Sequence, residues 1–373
     1  MQLEATDLLA INRGGVNYKV TGADLTQGGV IQPTDVVMVQ RGSTLYKVAA
    51  GTLSSSFDVL EETDFVLVQR GDELYGLHPN FVPALIPSFT MNLDSAGLGS
   101  SDRAISIEWK GARAPGGFAP QVQFPDSPNR NTYFFGASGD TWFVPSQLGA
   151  GTSRAVIYGA FDYINFEDSL ALVSMQESAA GAIASMIPTP AANFGQKMFS
   201  RCPKLTTIPL GIPFKNLFGT FIGCEVFNQD ISTINTTGVE DFYSCFVDCI
   251  AFDQDISPWD VSSATEMAFM FAGAASFNQN LNSWGPLLSN VFTFSRMFQN
   301  ASSYNQPMNL WDVSGASPTQ GSLPGMDDFF FNATVFNQDL SGWCVTNFPQ
   351  KPFNFADGSA LEANNYPVWG TCP

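Results

Sequence analysis

The C-terminal half of the chain repeats one pattern about every 25 residues. Each copy has an aromatic residue, then Asn-Gln or a close variant, then an aliphatic residue and, in most copies, a Trp. The aromatic residues are Phe227, Phe252, Phe277, Tyr304 and Phe336, at intervals of 25, 25, 27 and 32 residues. None of the repeated residue types is a nucleophile or a good metal ligand. The repeat therefore predicts a structural role rather than catalysis or metal binding.

Further apolar positions keep a fixed spacing from these rings. A second Phe lies six positions upstream in every copy, at Phe221, Phe246, Phe271, Phe298 and Phe330. Seven positions downstream, four copies have a Trp, at Trp259, Trp284, Trp311 and Trp343. Fixed apolar columns at such a period are typical of a solenoid, in which each turn stacks its inward residues on those of its neighbours. We therefore predict that equivalent rings lie over one another.

The Asn-Gln pair fits the same interpretation. A coil that turns sharply every few residues leaves backbone N–H and C=O groups inside the stack, and these groups need hydrogen-bond partners. Short amide side chains at matching heights offer both donors and acceptors. We therefore predict that these amides hydrogen-bond to the backbone and to one another along the stack.

A different repeat occupies the N-terminal part of the chain, with copies that begin at Asp7, Asp35 and Asp64. Each copy is an apolar run, then Arg-Gly, then a second short run that contains Tyr, which predicts a β-hairpin. Glycines near the turn allow a positive φ, at Gly14, Gly42 and Gly71. Isolated hairpins are marginally stable in water, so we expect these to dock on one another, on a sister chain or on a partner. The third copy ends at His78-Pro79, which leaves open whether it is a transition to the next segment.

The most regular polar and aromatic set in these hairpins is Arg13, Arg41, Arg70, Tyr18, Tyr46 and Tyr75. In one interpretation Arg caps the turn and Tyr packs across the hairpin. In the other they form a docking face, because Arg and Tyr are favoured interface residues.

Residues 82–153 lie between the two arrays and contain β-favouring runs such as AISIEWKG and QVQFP. The predicted fold is mainly β. It has tandem hairpins for attachment over 1–81, a β-rich connector or N-terminal cap over 82–153, and a repeat solenoid with a C-terminal cap over 154–373.

Composition narrows the function classes. The chain has 16 Lys and Arg against 34 Asp and Glu, for a net charge of -18, and no basic cluster that would bind nucleic acid. The first residues do not resemble a secretory signal, and no run is long enough to span a bilayer. The single histidine, His78, has no nucleophile motif to serve. We expect no catalysis, no cofactor and no metal.

Four cysteines fall on repeat positions. Cys202, Cys224 and Cys249 lie three residues before the ring column, where other copies have Ala. This position predicts a small buried slot. Cys245 and Cys249 also have the spacing of a zinc ligand pair, but no companion histidine is near them in the sequence.

Three aspartates repeat just after the Asn-Gln position, at Asp230, Asp255 and Asp339. A row of carboxylates is typical of a calcium site. The row is interrupted by Asn280 and Pro307, which favours ordinary turn residues.

The repeat resembles the BspA-like leucine-rich repeats of bacterial and mycoplasmal surface proteins. The resemblance is clearest at MFAGAASFNQNLNSW, residues 270–284, and the ending WCVTNFPQKPFNF…VWGTCP is similar to that family's closing cap. It implies a right-handed leucine-rich-repeat solenoid with a short strand per coil, used for adhesion or display. Cys344 and Cys372 lie in the cap and outside the repeat columns, so we expect them to form a disulfide.

The N-terminal repeats resemble units found at the start of marine bacteriophage virion proteins, over about residues 5–80. The combined expectation is a bacteriophage virion structural protein on the particle surface, made in the host cytoplasm. Its hairpins would bind other capsid or tail proteins, its solenoid would contact a host glycan or protein, and it would be a homo-oligomer on the particle. The alternatives are a bacterial cell-surface adhesin and a glycan-degrading tail spike.

Overall fold

The computed structural model describes residues 163–177, 187, 190–318 and 323–373. Before them it describes residues 8–13, 16–21, 36–41, 44–49, 64–70, 73–77, 88–96, 98, 104–110, 121–123, 132–134, 138–143 and 152–158. In the strands between residues 8 and 77 only the backbone and its pairing are described. A helix with the length and apolar character of a membrane span does not occur among these residues.

Each N-terminal repeat forms one antiparallel hairpin. The pairs are β1 (Leu8–Arg13) with β2 (Val16–Thr21), β3 (Val36–Arg41) with β4 (Thr44–Ala49), and β5 (Asp64–Arg70) with β6 (Glu73–Leu77). Two residues separate the strands of each hairpin, and the turn glycines lie outside the described residues.

The first strands of the three hairpins also pair with one another. The second half of β1 pairs with the start of β3, the second half of β3 with the start of β5, and the second half of β5 with the start of β1. The first strands β1, β3 and β5 thus form a closed cycle of pairings, and each also pairs with the second strand of its own hairpin. The third copy completes this cycle and is an integral part of the sheet. The hairpins were expected to dock on one another, on a sister chain or on a partner, and in the structure they pair with one another.

Two further sheets follow. One contains β7 (Ser88–Asp94), β9 (Gln121–Gln123), β10 (Thr132–Phe134), β12 (Thr152–Tyr158) and β14 (Leu172–Glu177), in the order β10-β9-β12-β7-β14. The other contains β8 (Ile105–Lys110), β11 (Ser138–Phe143) and β13 (Tyr163–Asn165), in the order β11-β8-β13. The strands therefore run past the boundary expected at residue 153, because β12 and β14 both pair with β7.

From Phe166 onward, consecutive repeats are joined by backbone hydrogen bonds. The N–H groups of Gly219, Phe221 and Gly223 donate to the carbonyls of Tyr243, Cys245 and Val247, at 2.7 to 2.9 Å. Later repeats use the same alternate positions. The resemblance implies a short strand per coil, but the described repeats have single parallel bridges instead, as between Asp241, Glu266 and Thr293. The described residues also contain two 3-10 helices, Asn282–Leu287 and Ala363–Asn365.

The rings of the two aromatic columns lie over one another. In the column of Phe221, ring centroids of successive repeats are 5.4 to 6.0 Å apart, and in the column of Phe227 they are 5.9 to 6.1 Å apart. Within a repeat the two rings are 3.8 to 4.8 Å apart. Every ring of both columns is fully buried. These stacks form the centre of the hydrophobic core.

Each repeat reverses direction through two residues with positive φ, four positions apart. They flank the upstream Phe, as Gly219 and Gly223 do around Phe221. Gly, Asn and Asp, which occupy most of these positions, adopt this conformation most readily. At Gly273 the close stacking adds a second requirement, because a Cβ there would lie 2.2 Å from Asp248 Oδ1. The sharp turns let each repeat offer its N–H and C=O groups along the stack.

Replacing Phe271 by Ala should lower the free energy of unfolding by about 3 to 5 kcal/mol, because it leaves a cavity between the rings of Phe246 and Phe298. The measurement is chemical denaturation followed by near-ultraviolet circular dichroism. Leu310→Ala is the control, since Leu310 is 55% exposed and should change stability little. Equal stability of the Phe271 variant and the wild type would contradict the stacked core.

Tyr304 is the one tyrosine in the column of Phe227, and its buried hydroxyl has no hydrogen-bond partner. An unsatisfied buried hydroxyl costs about 1 to 3 kcal/mol. Tyr304→Phe should therefore raise the melting temperature while the ring stack is kept. Tyr366→Phe, in the partly buried end cap, is the matched control. A lower melting temperature for Tyr304→Phe would mean that the hydroxyl has a partner.

Candidate functional site

The most extensive polar feature of the repeats is a ladder of side-chain amides beside the ring column. The Oδ1 atom of Asn278 accepts hydrogen bonds from the Asn305 N–H at 3.0 Å and from Gln306 Nε2 at 3.1 Å. The same two bonds recur at each step, with acceptors Asn228, Asp253, Asn278, Asn305 and Asn337. The amides thus satisfy backbone groups and one another along the stack.

The ladder explains which residues the repeat tolerates. Its essential atom is a side-chain oxygen on a short stem, so Asp253 replaces Asn without loss of either bond. The last step is different, because Asn365 supplies the amide donor that Gln gives elsewhere. At the other end, Gln229 bonds to both backbone groups of Ile208.

The aspartates Asp230, Asp255 and Asp339 each accept the backbone N–H of the residue two positions on, at 2.9 Å. Asn280, which interrupts the row, accepts the Asn282 N–H in the same way. These are turn residues that stabilise each coil locally. Among the described residues, no group of three or more His, Cys, Asp or Glu side chains could hold a metal ion.

The repeat cysteines line a buried slot. The thiols of Cys202, Cys224 and Cys249 donate to the carbonyls of Phe166, Phe199 and Phe221 in the preceding turn, at 3.3, 3.1 and 2.9 Å. Burial raises the pKa of Cys202 to about 12 and also raises the pKa values of the other thiols in the slot. Burial likewise raises the pKa of Cys245. Protonated, buried thiols of this kind are poor nucleophiles and poor metal ligands.

The end of the chain closes on itself. Cys344 and Cys372 form a disulfide across 28 residues, with their Cα atoms 4.0 Å apart. Beside it, the Val345 N–H donates to the Thr371 carbonyl at 2.8 Å. Trp369 packs edge-on against Phe355, the last buried ring of the stack, at 5.0 Å between centroids. The terminal residues thus cover an apolar end that would otherwise face water.

The six residues considered for partner docking fall at equivalent backbone positions of the three hairpins. Arg13, Arg41 and Arg70 end β1, β3 and β5, and each is the last paired residue before its turn. Tyr18, Tyr46 and Tyr75 lie opposite Ile11, Val39 and Val68. Arg41 is also the cross-strand neighbour of Asp64 in the next hairpin. The side chains of these six residues lie outside the described part, so both interpretations of the set stay open.

A second polar column contains two carboxyl groups in adjacent repeats. Asp241 and Glu266 are parallel-bridge partners, and Glu266 bridges in turn to Thr293. Asn216 precedes them in the same column, since it lies 25 residues before Asp241 and the N–H of the adjacent Leu217 donates to the Asp241 carbonyl. The side chains of Asn216, Asp241 and Thr293 each accept the backbone N–H two residues on. The Oε1 atom of Glu266 is buried and has no hydrogen-bond partner. Burial, reinforced by the Asp241 charge, raises the pKa of Glu266 to about 7.

Beside this column lies an aromatic strip, formed by Phe218, Tyr243, Phe269 and Arg296. The first two rings stack at 4.9 Å, and Tyr243 and Phe269 meet at 5.5 Å. The Arg296 guanidinium lies 5.1 Å from the Phe269 ring centroid and pairs with Asp328 at 3.0 Å. All four side chains are half-buried. Phe269 has a φ of 60°, which is unfavourable for a bulky residue.

Sequence reasoning missed the left-handed positions, the Asp241–Glu266 pair and the aromatic strip. The left-handed positions had a signal, since Gly, Asn or Asp occurs two residues after the upstream Phe in most repeats, as at Gly223, Asp248 and Gly273. The other two features had none. Their members occupy equivalent or neighbouring positions in the stack but differ in residue type from one repeat to the next.

Comparison with known families finds a match in the C-terminal part of the chain. Residues 215–323 and 288–370 match the family described as Mycoplasma protein of unknown function, DUF285. This C-terminal part is similar to that family. The matched residues cover less than half of the 373-residue chain and fall entirely on the stacked repeats and their cap. No curated protein matches the chain. No solved structure matches it.

Asn278→Ala should lower the free energy of unfolding by about 1 to 3 kcal/mol, because the Asn305 N–H and Gln306 Nε2 lose their acceptor. Asn278→Asp keeps an oxygen at the same place, as Asp253 does naturally, and should cost clearly less. Denaturant titration of both variants makes the comparison. Equal losses from Ala and Asp would show that the ladder bonds do not stabilise the stack.

Proposed function

We propose that the protein is a structural protein of a bacteriophage particle. In this proposal the N-terminal repeats bind other capsid or tail proteins, and the C-terminal repeats form a BspA-like leucine-rich-repeat solenoid displayed toward the host. The protein would occupy the virion surface as a homo-oligomer and would meet a host glycan or protein.

The observation that supports attachment most directly is the arrangement of the N-terminal repeats. These repeats resemble phage virion units in sequence, and their three hairpins pair into one cyclic sheet. Such a sheet repeats one structure three times, so it offers a partner three equivalent sets of backbone positions. Arg13, Arg41 and Arg70 mark those positions.

Display by the C-terminal part is supported by its internal organisation. Its recurrent side chains are accounted for by stacking, by the amide ladder and by turn formation. The aromatic strip is not part of the recurrent pattern, and its rings and guanidinium are of the types enriched at protein interfaces. We propose this strip as the host-contact surface.

A bacterial cell-surface adhesin is the second candidate. It is favoured by the match of residues 215–370 to a Mycoplasma family and by the BspA-like resemblance of the same residues. Mass spectrometry of purified particles, set against surface proteolysis of intact cells, separates the two candidates. Recovery in particles supports the first, whereas recovery on uninfected cells supports the second.

Deleting residues 1–80 should leave a folded C-terminal part that no longer enters particles, because the attachment repeats are gone. Particle composition after complementation with the deleted gene is the measurement, and near-ultraviolet circular dichroism checks folding.

A finer test replaces Arg13, Arg41 and Arg70 together by Ala, which should reduce incorporation if the arginines form the docking face. Lys19→Ala with Lys47→Ala is the matched control, since these basic residues lie on the second strands of the same hairpins. Normal incorporation of the deletion variant would contradict attachment through the N-terminal repeats.

A further inference from the structure

Asp241 and Glu266 place two carboxyl groups at the same position of neighbouring repeats. Their backbones form a parallel bridge, and Glu266 bridges in turn to Thr293. The preceding and following members of the column, Asn216 and Thr293, are neutral. Two adjacent acids therefore occur at one junction of the stack, between the repeat of Phe246 and the repeat of Phe271.

The surroundings of Glu266 disfavour its ionised form. Its Oε1 atom is buried and lacks a hydrogen-bond donor, which is costly for a charged oxygen and much less so for a protonated carboxyl group. Among the described residues, the charged group that acts on Glu266 is Asp241, which is of like sign. A backbone hydrogen bond from Ala268 favours the ionised form but does not outweigh burial.

The Asp241 carboxyl accepts more hydrogen bonds than the Glu266 carboxyl. It accepts the Tyr243 N–H at 3.0 Å and a hydrogen bond from the Asn216 side chain. Glu266 is therefore the member of the pair that holds a proton when only one proton is present.

We propose that Asp241 and Glu266 form a proton-operated switch in the stack, which holds two neighbouring repeats tightly when Glu266 is protonated and loosens their junction when both groups are ionised. The junction consists of the N–H groups of Phe242, Ser244, Phe246 and Asp248 with the carbonyls of Glu266, Ala268, Met270 and Ala272. Its carbonyl side begins at Glu266 itself, so repulsion at the pair acts directly on these bonds.

The sign of the pH dependence follows from the direction of the shift. Burial raises the pKa of Glu266 from the ordinary value of 4.5 to about 7, so the folded state binds a proton that the unfolded state has released. The stabilisation is complete below about pH 4.5, is lost as pH rises toward about 7, and is absent above that. The pKa of Asp241 is raised too, again mainly by burial, which adds a loss of the same sign.

Hydrogen exchange of the full-length protein between pH 5 and 8 tests the switch. The amides of Phe242, Ser244 and Phe246 report on the junction, and those of Lys197, Phe199 and Arg201 report on a control junction. After correction for intrinsic exchange, the ratio of protection between the two junctions should fall by up to about tenfold per pH unit as Glu266 ionises, the limit for one proton.

Glu266→Gln should remove most of the pH dependence of that ratio, because the amide stays neutral and only the contribution of Asp241 remains. Asp241→Asn should shift the transition to lower pH, because removal of the like charge lets Glu266 ionise more easily while burial still raises its pKa; a pH-independent ratio in this variant would instead place the proton on Asp241. Thr293→Val, which removes a neutral member of the same column, should leave the pH profile of the wild type unchanged in shape. A flat ratio in the wild type, or a Glu266→Gln profile like that of the wild type, would overturn the proposal.

Discussion

The C-terminal structure depends on the backbone hydrogen bonds that run between repeats. Alternate N–H groups of one repeat donate to alternate carbonyls of the next, as from Phe221 to Cys245 and from Phe246 to Met270. These bonds fix the height and register of each repeat relative to its neighbour. Once the register is fixed, side chains with equal sequence positions must meet. The ring columns, the amide ladder and the thiol slot follow from that constraint.

The three side-chain systems stabilise the same junctions in different ways. The rings form two continuous stacks in the buried core, the amides satisfy backbone groups that a tight coil leaves without partners, and the thiols give a second donor to carbonyls such as that of Phe221. Where a repeat has Ala in place of Cys, as at Ala274, the slot is still buried and the extra bond is absent. Apolar packing is therefore common to the repeats, whereas the thiol bonds belong to some of them.

The sequence allowed the ring columns and the amide positions to be predicted because both recur at fixed spacing. A residue type that recurs at a fixed period can be recognised from the sequence alone, and its physical role follows from the residue type. The Asp241–Glu266 pair could not be found in this way. Its importance arises from two unlike residues meeting at one position of consecutive repeats, and the register of the backbone bonds decides which residues meet.

The N-terminal repeats likewise show what local sequence can and cannot predict. Each hairpin is visible in the sequence, since an apolar run, Arg-Gly and a second run define it locally. The cycle of β1, β3 and β5 is formed by pairing between residues far apart, such as Leu9 with Val68, and no local signal specifies it. A cycle closed by three strands uses both halves of each first strand, so a fourth repeat would find no free partner in it. The number of N-terminal repeats is therefore a property of the closed sheet. Each C-terminal repeat bonds to the next at the same backbone positions, so this pairing sets no number of repeats, and Trp369 of the cap covers the last buried ring.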